Sequence, residues 1–163
     1  IADRDESAGW TGSDTGLSSH ISGATAVLTN EALEIAAVRQ LLLTGGPDDL
    51  DRAVRRARAL YGRTHEQQRP RARLDMSLLL AECLAAAGWV GEAAALLAQA
   101  AATCAEFHWT RPLVDSGPRV MEILRVLRGD LPLTAADGAG TAGAVRTIGD
   151  VRVPVRFLNE LLD

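Results

Sequence analysis

Residues 91–107 carry Ala93, Leu96, Leu97, Ala100, Ala101 and Cys104 on one stripe of a 3.6-residue period, a spacing that only a helix turns towards one neighbour. The same period recurs over 49–61, through Leu50, Ala53, Val54, Ala57 and Tyr61, and over 69–87, through Leu74, Leu78, Ala81 and Leu84. Helices are predicted there and over 31–43, with Asn30 as N-cap, and a fifth carries Val120, Ile123, Leu124 and Leu127. Gly45-Gly46-Pro47 and Gly88 break the chain between them; Asp115 or Ser116 caps the fifth helix, with Pro118 in its first turn. Such short connections imply antiparallel helix hairpins. Aromatics are only 4% of the 163 residues, so strand formers are sparse and no sheet is expected.

The hairpins lie in a helical domain over 30–128. Residues 1–29, rich in Ser, Thr, Gly and Asp, read as a partly ordered lead-in, with a short helix near 21–28 and Trp10 as an anchor. Residues 129–150 read as a Gly/Ala-rich linker, and 151–163 as a short helix docking through Phe157, Leu158 and Leu161. The first residue is Ile1, and the chain reads as a piece of a longer one.

Several chemistries are excluded. All 17 basic residues are arginine, so there is no P-loop lysine, Schiff-base lysine or lysine base. His20, His65 and His108 lack metal-ligand spacing, and Ser116 has no nucleophile motif; no enzyme, cofactor or metal site is expected. Gly138, Gly140 and Gly143 have dinucleotide-loop spacing, but Leu131-Pro132-Leu133-Thr134 is a poor preceding strand, and a linker is the better reading. A net charge of −4 argues against DNA binding by the domain. Cys83 and Cys104 read as reduced, buried thiols of a cytoplasmic protein, and no apolar run is long enough to span a membrane.

Eight arginines between 52 and 73 face a single acid, Glu66. This is either a solvated outer face or a basic partner surface, for which Arg52, Arg55, Arg56 and Arg73 are the candidates. Asp48, Asp49 and Asp51 suit the positive end of the helix that follows them.

Ala81, Leu84, Gly88, Ala93, Leu97 and Ala100 resemble the tetratricopeptide pattern, in which small residues let paired helices approach closely. Val38, Leu41, Gly45, Ala53 and Ala57 repeat it loosely, although Ala53 and Ala93 are 40 positions apart. The fold expected is therefore all-α, a fragment of an α-solenoid of tetratricopeptide-like hairpins. With Ala81 and Val38 equivalent, Glu82 and Arg39 point into the concave groove, and Asp75 shares the face of Glu82. These three are the candidate ligand or partner residues; alternatively, Arg39 and Glu82 pair with each other across adjacent hairpins.

The run Trp109-Thr110-Arg111-Pro112-Leu113-Val114-Asp115-Ser116-Gly117-Pro118 resembles a segment, aromatic-x-Arg-x-Phe-x-Asp-x-Gly, of MalT-like LuxR-family transcription regulators, with Leu113 in the place of the phenylalanine. Trp10, Gly16-Leu17, Leu28-Thr29-Asn30-Glu31 and 157–162 resemble the borders of the same sensor region. The resemblance implies a sensor domain that binds an inducer or a partner protein, with homo-oligomer formation open. It would couple that event to ATPase and DNA-binding modules that this sequence lacks. It also marks Arg111, Asp115 and Gly117 as a structural motif; Asp115 reads as the cap of the next helix, and Arg111 either pairs with it or caps carbonyls of the preceding helix. The competing reading is a stand-alone tetratricopeptide adaptor for protein–protein contact.

Overall fold

The computed structural model describes residues 15–129, 141–142 and 145–163. Trp10 and Gly138, Gly140 and Gly143 lie outside them, as does most of the linker expected over 129–150. The chain divides into two units, 1–34 and 35–163. Helix α1 is Thr15–Thr44, and its residues up to Glu34 belong to the first unit, where Val27, Leu28 and Leu33 are exposed. Asn30 sits inside this helix and does not cap it.

The second unit is an all-α array of helix hairpins with a small sheet attached. It contains the end of α1, then α2 (Pro47–Glu66), α3 (Pro70–Ala86), α4 (Val90–Glu106), the single turn α5 (Arg111–Val114) and α6 (Pro118–Arg128). Strands β1 (Thr141–Ala142), β2 (Val145–Ile148) and β3 (Val151–Pro154) lead to α7 (Val155–Leu162). Helix α3 packs between α2 and α4, and α6 lies against both α3 and α4.

Three successive helices end in the same way. In each, a residue in the left-handed region follows the last turn, and the next amide reaches back to a carbonyl five residues earlier, the Schellman arrangement. The left-handed residues are Gln68 (φ 50), Gly88 (φ 83) and His108 (φ 53), and the closing bonds are Arg69 N to Thr64 O, Trp89 N to Leu84 O and Trp109 N to Cys104 O, at 3.2, 2.8 and 2.8 Å. Pro70 starts α3, where its missing N–H leaves no bond unmade.

Alanine makes the core thin. Ala53, Ala57, Ala81, Ala93, Ala98 and Ala101 are all buried, so α2, α3 and α4 meet at small side chains, while Leu60, Leu97 and Leu124 fill the gaps. Cys83 and Cys104 are buried free thiols of this core, with their pKa values pushed up by burial to about 12 and about 11.

The strands correct the expectation of a sheet-free fold with a linker to residue 150. They form an antiparallel meander in the order β1-β2-β3, with Arg146 opposite Val153 and Ile148 opposite Val151. Gly149, at φ +56, opens the two-residue loop between β2 and β3, as tight hairpins require. β3 lies on α4 and buries Val153; α7 then buries Phe157, Leu158 and Leu161, as its apolar spacing predicted. Arg128 at the end of α6 donates to Asp163 at 2.6 Å.

Candidate functional site

Glu82 lies on α3 within electrostatic reach of two arginines from other helices. Its carboxyl is half-buried, and burial raises its pKa above the ordinary carboxylate range. The positive charges of Arg119, at the start of α6, and Arg39, on α1, pull in the opposite direction without overcoming burial. Gly117 completes the surroundings: a Cβ placed there would stand 3.7 Å from Glu82 Oε1. That is ordinary contact, so space is not what selects glycine. The backbone is: Gly117 has φ +97, which L side chains rarely adopt. Charges from α1, α3 and α6 thus meet at one carboxylate.

Asp75 does not join them. It is seven residues before Glu82 and shares its face, but it pairs with Arg71 at 3.5 Å on its own helix. The guanidinium of Arg71 also lies 5.5 Å from the centre of the Trp109 ring, which stacks on Phe107 at 5.0 Å. Arg119, Phe107 and Trp109 were missing from the sequence-predicted set. Arg71 and Asp75 were legible as an i,i+4 pair; Arg119 was not, because only the tertiary placement of α6 brings it to Glu82.

The basic surface is divided. Arg52 pairs with Asp49 at 3.3 Å, and Arg55 and Arg56 are exposed in the first half of α2. Arg73 stands instead on α3 beside Tyr61, its guanidinium 5.8 Å from the ring centre and donating to the phenol oxygen at 3.4 Å. Nine residues, or about 13 Å of helix, separate Arg52 from Tyr61. Arg58 forms another cluster, over Trp89 at 4.9 Å and donating to Glu92 at 2.7 Å. These contacts are exposed and contribute little to stability.

Arg111 and Asp115 form the expected pair, with Nε to Oδ2 at 2.9 Å across the turn of α5. Asp115 is not the cap of α6: that position is Gly117, with no side-chain cap bond. The Ser116 hydroxyl donates backwards to the Pro112 carbonyl. Leu113, between the pair, is fully buried and anchors the turn.

Among the described residues no group of His, Cys, Asp and Glu is placed to hold a metal ion, and no helix is long and apolar enough to cross a membrane. No family model matches the chain, and no solved structure matches it. The chain is similar to the serine/threonine-protein kinase PknK of Mycobacterium tuberculosis and of Mycobacterium bovis, 42% identical over 92 residues. The match takes in 56% of this chain but only 8% of each kinase, so it concerns one segment of a much longer protein.

Proposed function

We propose that the chain is a signal-receiving helical segment of a bacterial transcription regulator of the MalT-like LuxR type. Binding of an inducer or partner protein at the inner face would bias two arrangements of the helices, and modules elsewhere in the regulator would read the difference. The observation that carries this reading is the half-buried Glu82 carboxylate held among Arg39 and Arg119. A carboxylate kept in a position that burial disfavours is a common mark of a working site. Three separate helices contribute to its surroundings, so a ligand that pairs with Glu82 or Arg39 alters their mutual balance. A segment of this kind embedded in PknK, a long protein named for kinase activity, is in keeping with a role as one module among several.

The test is made in the complete regulator. Arg39→Ala and Glu82→Ala should each abolish the response of a reporter to its signal, while the melting temperature of the domain is kept. Coupling energies of about 1–3 kcal/mol correspond to roughly 5- to 150-fold in the response. Unchanged signalling by both variants would discard the reading.

A further inference from the structure

From its lining chemistry we infer that the groove between α2, α3 and α4 is a binding site for a small carboxylate with an apolar body. The groove encloses about 530 Å³, inside the range of roughly 300–1,000 Å³ typical of small-ligand clefts. Leu74, Leu96 and Ala100 supply its apolar wall.

The donors that the groove offers a ligand are Arg73 and Tyr61, not its hydroxyls. The hydroxyls of Thr64, Ser77 and Thr103 give their protons to carbonyls of their own helices, Tyr61 O, Leu74 O and Gln99 O. Arg73 donates to the Tyr61 phenol oxygen, which leaves the phenol proton for another acceptor. Arg73 has no carboxylate within ion-pair distance among the described residues; its contacts are the Tyr61 ring and hydroxyl. A guanidinium held by an aromatic ring, with an O–H donor beside it, matches a planar carboxylate. The adjacent wall requires that the carboxylate carry hydrocarbon.

The groove is distinct from the Glu82 cluster. Arg73 and Ser77 lie roughly 140–180° around α3 from Asp75 and Glu82. Its occupancy is therefore tested by binding alone, and a negative result leaves the signalling test of the inner face untouched.

The experiment is calorimetric titration of the 163-residue chain with 4-phenylbutyrate, its neutral amide 4-phenylbutyramide, and inorganic phosphate. The acid should bind, and the amide should bind about tenfold more weakly or worse, since hydrogen bonds to a charged group are worth about 1.5–3 kcal/mol. Arg73→Ala should cost a similar factor, with Arg73→Lys recovering part of it. Thr103→Trp, a change at an exposed lining position, should block the groove; melting curves of all three variants should match the parent. Equal affinity for acid and amide, full binding by Arg73→Ala, tighter binding of phosphate, or no binding of the acid at millimolar concentration would each overturn the assignment.

Discussion

At the scale of single residues, the most informative group is Glu82. Its pKa is raised chiefly by burial, against the pull of Arg119 and Arg39, so the native state resists its ionisation. The sign follows from linkage. A raised carboxyl pKa contributes stability below the unfolded value, and that contribution is lost as pH rises through the folded value. At neutral pH the charge is therefore a burden. Glu82→Gln should melt no lower than the parent at pH 7, and its advantage should disappear as pH falls below the ordinary carboxylate range. A lower melting temperature at pH 7 would show that the two arginines outweigh burial. Glu82 and Arg39 were legible in the sequence through the repeat register, since Ala81 and Val38 are both fully buried. Asp75 satisfied the same rule of facing, yet Arg71 on its own helix takes it. Helical spacing fixes a face, but the charges that complete a site come from other elements.

At the scale of elements, the helix ends separate by their chemistry. Gly88, Gln68 and His108 occupy equivalent left-handed positions, and only one is glycine. His108→Gly should therefore raise stability by about 1 kcal/mol, and Gly88→Ala should lower it by about the same amount, measured by urea melts. No atom lies within 4 Å of a Cβ built at Gly88, so that loss would be conformational and not steric. Apolar stripes made α2, α4, α6 and α7 readable, because burial of one face follows directly from period; α3, packed between α2 and α4, buries most of its residues from Leu74 to Leu84. The strands were less readable. Gly and Ala around residues 135–144 suggested a linker, whereas Val145-Arg146-Thr147-Ile148 and Val151-Arg152-Val153 alternate around Gly149-Asp150. That alternation is a hairpin signal, though a four-residue strand has too few repeats to outweigh neighbouring composition.

At the scale of the whole molecule, the two thiols report on the integrity of the core. Cys83 on α3 and Cys104 on α4 are wholly buried, and burial is the largest cause of both raised pKa values, about 12 and about 11 against an ordinary value near 9. The unfolded chain therefore releases these protons at lower pH than the native one. By linkage, their contribution is intact below about pH 8.5 and declines as pH rises towards the folded values, each thiol adding a slope of at most about 1.4 kcal/mol per pH unit. Every basic side chain other than histidine is arginine, so lysine titration does not obscure this window. The melting temperature should hold steady to about pH 8.5 and then fall, and the fall should be shallower in a Cys83→Ala, Cys104→Ala double variant even though that variant starts from a lower plateau through lost packing. Thiol labelling under native conditions should be slow and should accelerate over the same alkaline range, because the reactive thiolate is reached through opening of the α3–α4 contact. Parallel pH profiles for the parent and the double variant, or rapid labelling of both thiols at pH 7, would show that the alanine-rich interface between α3 and α4 is open to solvent.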